Sequence, residues 1–224
     1  MGRNLKKLLL YAGGMFLIAI GINISKAAGL GISPVSAIPY AVELIWGIEL
    51  GISTAVVYMF LIVLQMILLR KNYEPVQLLQ FLATYALSFF ITCTSRANLM
   101  FWMPEPKNYI VSIVYLVISI FVIGAGVSFY LMPQWIPLPA EGLAKAMETI
   151  SKGKLPFHTC KSIVDTALVI ISAALSLLFL GKLKSVREGT ILAAILVGKV
   201  VGMVNKRLKD KIQRWLGHKK EESV

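Results

Sequence analysis

Strand-type alternation of apolar and polar residues is absent from this chain of 224 residues, which argues against a membrane β-barrel. Catalytic signatures are missing as well. There is no His-Glu-x-x-His zinc pair, no Gly-x-Ser-x-Gly elbow, and no Walker or Rossmann glycine pattern. Only two histidines, His158 and His218, and two cysteines, Cys93 and Cys160, are present. The cysteines form no motif and read as small buried hydrophobes. The expectation is a protein without enzymatic activity, metal or cofactor. Acidic residues are scarce, 11 against 23 Lys and Arg, for a net charge of +12. In a soluble protein that excess would point to nucleic acid. Here the basic residues fall mostly between and after apolar blocks, where the positive-inside rule places them, so nucleic acid is not an expected partner.

What is abundant is apolar sequence: 57% of residues, with a mean hydropathy of +0.75. The apolar residues sit in blocks of roughly 20, the length that crosses about 30 Å of hydrocarbon at 1.5 Å per residue. A soluble core of this size would not need six such blocks. The blocks predict an all-α integral membrane protein with six crossings, at 8–27, 51–69, 76–93, 109–131, 157–180 and 186–204. Two shorter segments, 34–46 and 140–152, are re-entrant or interfacial helices. The start, with Arg3, Lys6 and Lys7 before Leu8 to Ile22, imitates a secretory signal. It has a counterpart later in the chain and is read as a retained first helix.

That counterpart belongs to an internal repeat. A shift of 105 residues pairs Ile18–Thr54 with Ile123–Thr159 without a gap. Eight positions are identical: Ile18/Ile123, Gly21/Gly126, Pro34/Pro139, Ala41/Ala146, Glu43/Glu148, Ile45/Ile150, Leu50/Leu155 and Thr54/Thr159. After a lengthening of five residues the match resumes at Val76/Val186 and Ala83/Ala193. Each half holds three crossings and one short segment. Three is odd, so the second half enters the membrane upside down, the inverted repeat of many secondary transporters. The repeats span about 8–93 and 109–204 of one transmembrane domain, 1–205, followed by a basic cytoplasmic tail, 206–224. With the N-terminus inside, fifteen Lys and Arg face inward and six outward, with Lys161 and Lys199 inside crossings. The loop from Lys182 to Arg187 dissents from this balance. In the tail, Leu208, Ile212, Trp215 and Leu216 share one helical face while Lys209, Lys211 and Arg214 occupy the rest. This pattern predicts a helix lying in the inner interface, anchored by Trp215, with its cations on anionic lipid headgroups.

The short segments carry the best functional clue. Each begins at a proline, Pro34 or Pro139, which suits a first helical turn. A helix that starts inside the membrane leaves its first amides unpaired, and with the macrodipole these can hold a polar or anionic group. Two such starts related by the repeat face one central site in this reading; in the other, both segments lie flat at the surfaces and only link crossings. Ser33 and Ser36 add hydroxyls in the first half. Glu43, paired with Glu148 by the repeat, needs a partner in so apolar a segment. Glu141, Lys145, Glu148 and Lys152 line one face of the second segment, either an interfacial helix or a wall of a wet cavity. The fifth crossing holds a polar stripe, His158, Lys161, Ser162 and Asp165, with Ser172 further along. Lys161 and Asp165 can pair as i and i+4. The stripe is a solute-binding or proton-relay face, or an ion pair that only fixes packing; Asp165 is the first candidate. Lys199 either snorkels or pairs with an acid such as Asp165 or Glu43. Ala194, Gly198 and Gly202 form a small-residue ridge, expected to pack internally or else in a homodimer. Gly21 and Gly126 are expected to let the first crossing of each half approach a neighbour.

At Gly21-Ile22-Asn23 and Gly31-Ile32-Ser33-Pro34, and again at Leu138-Pro139-Ala140-Glu141-Gly142-Leu143, the chain resembles the YczE/YyaS/YitT-type bacterial membrane proteins. The resemblance covers about residues 8–205. It implies a small multi-spanning protein of the bacterial cytoplasmic membrane, with no agreed substrate and no catalytic residues to carry over. The chain ends in a basic tail where some of those relatives carry a soluble C-terminal domain. On the duplicated proline-started segments and the polar fifth crossing, function is read as a small-solute transporter or exporter with a midplane site. The alternatives are a non-transporting module that binds lipid or a partner membrane protein, and a substrate-capture subunit of a larger transporter.

Overall fold

The computed structural model describes residues 2–96 and 106–216. The expected loop with Phe101, Trp102 and Pro104, and His218 of the tail, lie outside the described residues. All regular structure among the described residues is helical. In chain order the α-helices are α1 (Arg3–Ala28), α2 (Pro34–Trp46), α3 (Leu50–Leu69), α4 (Leu79–Arg96), α5 (Tyr109–Leu131), α6 (Pro139–Ile150), α7 (Phe157–Leu180) and α8 (Glu188–Leu216). Six of these, all but α2 and α6, are long and apolar enough to cross a membrane. Between 22% and 56% of each span is buried inside the bundle. The remainder is covered by outward-facing Ile52, Val56, Phe60, Ile110, Ile170 and Leu178, a continuous apolar exterior that water would not solvate.

The bundle is organised on the crossing of α1 with α5, the most extensive helix pairing in the protein. The two run antiparallel: Tyr11 meets Tyr130 edge-on, and ten residues further along α1, Gly21 meets Ile123 and Ser119. Glycine is required at this crossing because the backbones touch. A Cβ on Gly126 would lie 2.8 Å from both the Gly14 carbonyl and the Ile18 amide. The contacts are reciprocal under the repeat: Gly21 packs on Ile123 and Gly126 packs on Ile18. A pseudo-twofold axis therefore passes between α1 and α5. Hydrogen bonds follow it. Asn23 of α1 donates to Thr94 of α4 at 2.7 Å, and Ser128 of α5 donates to Asn205 of α8 at 2.5 Å.

Both short helices are packed inside this frame. Each is wedged against α3 and α7. Ala37 of α2 accepts from Ser172 of α7 at 2.7 Å, and in the other repeat the Pro139 carbonyl of α6 accepts from Gln65 of α3 at 3.0 Å. Each runs from the interior toward one end. α2 finishes where Trp46 stacks on Phe179, in the last turn of α7, and α6 finishes where Glu148 meets Phe157, the first residue of α7. Each buries one face against the bundle, with Pro34, Ser36, Ala37 and Ala41 in one and Pro139, Ala140, Gly142 and Ala146 in the other.

Two expectations are corrected. The tail is not a separate helix: α8 runs unbroken from Glu188 to Leu216, so the boundary expected at 205/206 falls inside it. No Gly or Pro separates Val204 from Leu216, and Lys, Arg, Leu and Gln are good helix formers. Its 29 residues reach about 43 Å at 1.5 Å per residue, beyond about 30 Å of hydrocarbon. Lys209, Lys211 and Arg214 are exposed, while Lys6 of α1 caps the Trp215 carbonyl at 2.8 Å and sits over its ring. The start of α1 and the end of α8 thus lie together on one side. The second correction concerns the internal packing expected of Ala194, Gly198 and Gly202, which instead face outward with no neighbour at either glycine, the orientation that the homodimer alternative requires. The cause is a break in symmetry: α3 lies along α4, whereas α7 and α8 diverge.

Candidate functional site

The interior charges meet where α6 passes α7. Lys161 Nζ lies 2.5 Å from Asp165 Oδ1, one turn along α7, and 3.8 Å from Glu141 Oε1 on α6. Exposure of the three side chains is 22%, 26% and 15% for Lys161, Asp165 and Glu141. Glu141 Oε2 and the Tyr130 hydroxyl of α5 are both buried without a hydrogen-bond partner. Two carboxylates share one ammonium, so the cluster carries one uncompensated negative charge when all three are ionised. In low dielectric such a charge draws a proton or a cation.

The rest of the expected stripe does not join this cluster. His158 and Ser162 are exposed. The packed face of α7 is Cys160, Val164, Leu168 and Ser172. At about 100° per residue the polar arc from Lys161 through Asp165 and His158 to Ser162 is wider than the room beside that face. Its near edge is enclosed and its far edge is left outside. Asp165 sits at this margin.

The other candidates are dispersed. Glu43 finds its partner in Lys26, at the last turn of α1, with a 2.7 Å ion pair. Glu148 Oε1 instead accepts the Phe157 amide at 3.0 Å, tying the end of α6 to the start of α7. The hydroxyls of Ser33 and Ser36 meet at 3.4 Å beside the buried Pro34. Under the repeat, the buried and uncharged Ser36 of α2 stands where α6 carries Glu141. The repeat therefore does not duplicate the charge site. Lys199 lies outside, in an apolar groove of α5 and α8 beside Val117, Phe121 and Met203, and reaches neither Asp165 nor Glu43. Replacing Glu43 by Gln is expected to cost less than about 1 kcal/mol, since the pair is partly solvated. Denaturant unfolding in detergent checks this.

Sequence reasoning placed Glu141 on the polar face of α6 but not in the site, and it passed over Gln65 and Gln80. Both glutamines are buried, at 1% exposure, against the Gly142 side of α6. A signal was present: Gln65 is a lone amide in the otherwise apolar run from Ala55 to Leu69, apart from the Tyr58 hydroxyl.

Fold and site together define a polytopic α-helical membrane protein with two inverted halves and a charged cluster between its helices. The chain belongs to the family described as a family of unknown function, DUF6198, which matches it over residues 5–206. No curated protein and no solved structure matches it.

Proposed function

We propose that the protein moves a small solute across the bacterial cytoplasmic membrane, with termini inside, by rearranging its two inverted halves. It acts as a carrier without catalysing a reaction. The observation that carries this reading is the Glu141–Lys161–Asp165 cluster, one negative charge in excess, formed between α7 and the short helix α6 that is wedged against α3 and α7. An interior charge of this kind marks an ion or proton pathway more often than a packing element. Lys161 held by Asp165, with Glu141 one step away, is one state of a switch. Protonating Glu141, or supplying it with a cation, commits Lys161 to Asp165. Releasing that charge lets Lys161 bridge toward α6.

The test is uptake of a mixed metabolite panel into proteoliposomes holding a pH-sensitive dye. The wild type is expected to accumulate at least one solute with a coupled internal pH change. Asp165→Asn leaves one cation and one anion, so it should insert and fold yet lose at least about 90% of flux, as an interior relay residue does. Normal flux in that variant sinks the assignment.

One observation favours a second reading, a membrane module that binds lipid or a partner protein, as the resemblance to YczE/YyaS/YitT-type proteins also allows. Lys209, Lys211 and Arg214 at the end of α8 are exposed, which supports contact with anionic headgroups. Deleting residues 206–224 should then weaken sedimentation with anionic vesicles while the remaining helices stay folded.

A further inference from the structure

The two repeats differ most where the loop before each short helix meets the start of the last crossing of the opposite half. In one case the fit is closed. A Cβ on Gly31 would lie 2.6 Å from Thr190 Oγ1 and 2.8 Å from the Arg187 amide, and Gly189 donates to the Leu30 carbonyl at 2.8 Å. The resumed register carries Thr190 onto Gln80. In the second case the equivalent loop, 132–138, stands away from α4, and a cavity of about 230 Å³ opens between Trp135, Ile136, α3, α4 and α6. It lies on the same side of the bundle as the start of α1 and the end of α8, since α3 finishes there and Tyr11 of α1 donates to Ile136 at 2.9 Å.

The floor of this cavity is built from amides. Gln65 and Gln80 approach the first turn of α6 at Gly142, where a Cβ would fall 2.5 Å from Gln65 Oε1 and 2.7 Å from Gln80 Nε2. Gln65 Nε2 is committed to the Pro139 carbonyl at 3.0 Å. Gln80 is 1% exposed, yet its Oε1 has no hydrogen-bond partner, and Gln77 Oε1, nearer the opening, is also buried and unpaired. Buried amide oxygens are nearly always satisfied, so two in one cavity without a protein partner call for donors from whatever fills it. The rim carries one charge of each sign, Glu74 and Lys145, both exposed. The floor carries none, so a net charge placed there would lie uncompensated. The volume is below the roughly 300–1,000 Å³ of drug-sized sites, so the occupant is small.

We infer that this cavity binds a small net-neutral polar solute with N–H or O–H donors: a carboxamide, a polyol or a zwitterionic amino acid. Its donors meet Gln80 Oε1 and Gln77 Oε1. α6 separates this site from the charged cluster, with Glu141 turned to α7 and Gly142 to α3 and α4. The inference does not rest on transport, because a solute can bind here without crossing.

The experiment is a thermal-shift and tryptophan-fluorescence titration of the full chain in detergent. Probes are neutral carboxamides, polyols, zwitterionic amino acids and their anionic and cationic analogues. At least one net-neutral probe should give a saturable shift together with a fluorescence change from Trp135 that is lost in Trp135→Phe. Gln80→Leu should weaken that probe roughly tenfold or more, the scale of one lost buried hydrogen bond to a solute. Gly142→Ala should do likewise, because it displaces only the ends of two flexible side chains and leaves the fold intact. Folding of each variant is read from its circular dichroism and elution volume. If either variant is unfolded, the wild-type titration and Trp135→Phe decide alone. Binding confined to charged probes overturns the inference. So does a shift unchanged in Gln80→Leu and Gly142→Ala, or a folded protein that answers no net-neutral probe and so holds only water there. Loss of flux with binding kept would instead count against the transport reading alone.

Discussion

Lys161→Met should destabilise the protein by about 3 kcal/mol, because removing one member of an enclosed ion cluster leaves the others unpaired. Here the penalty is aggravated by number: Asp165 and Glu141 both depend on the one ammonium, and neither side chain is more than about a quarter exposed, at 26% and 15%. The measurement is reversible unfolding in mixed micelles with increasing denaturing detergent. The companion is the triple variant Lys161→Met, Glu141→Gln, Asp165→Asn, which removes every formal charge and should regain most of the loss. Asp165→Asn alone should be milder than Lys161→Met, since Lys161 then still faces Glu141. A Lys161→Met protein within about 0.5 kcal/mol of wild type would show that water reaches the cluster and screens it.

The second large effect lies at the central helix crossing. Gly126→Ile should cost about 3 kcal/mol or more, the upper range for overpacking, because the atoms in its way are the Gly14 carbonyl and the Ile18 amide. Backbone cannot rotate aside as a side chain can. Gly21→Ile, its counterpart under the pseudo-twofold, meets Ile123 and the Ser119 carbonyl and should cost a similar amount. Gly13→Ala, one residue from Gly14 but with nothing within 4 Å, should be neutral or stabilise by up to about 1 kcal/mol, the helix-propensity difference. The same unfolding assay reads all three. Equal tolerance of Gly126→Ile and Gly13→Ala would mean that α1 and α5 do not cross there.

These two sites differ in how far they could be read from the chain. The crossing was nearly legible. Gly21/Gly126 and Ile18/Ile123 are identical pairs at one spacing, and a small residue repeated in each half asks for a close neighbour. The cluster was half legible. Lys161 and Asp165 share a helix, so their 2.5 Å contact follows from i,i+4 geometry. Glu141 stands 20 residues earlier on another helix, and its approach depends on where α6 is wedged. The stripe was overread for the same reason. Four polar residues on one arc look alike until a neighbour covers one edge and leaves His158 and Ser162 outside.

What the chain determined by itself was local. Block length set six crossings, proline set where the two short helices begin, and an odd number of crossings per half set their inversion. The absence of breakers after Val204 set the length of α8, although hydropathy alone stopped it too soon. Tertiary structure decided everything that depends on which faces meet. It turned the Ala194–Gly198–Gly202 ridge outward by parting α7 from α8, and it opened a cavity over Gln80 where the other repeat is closed over Thr190. Period and hydropathy specify a face only as polar or apolar. In lipid, where helix exteriors and helix contacts are both apolar, choosing between them takes shape complementarity between segments far apart in the chain, which no local pattern records.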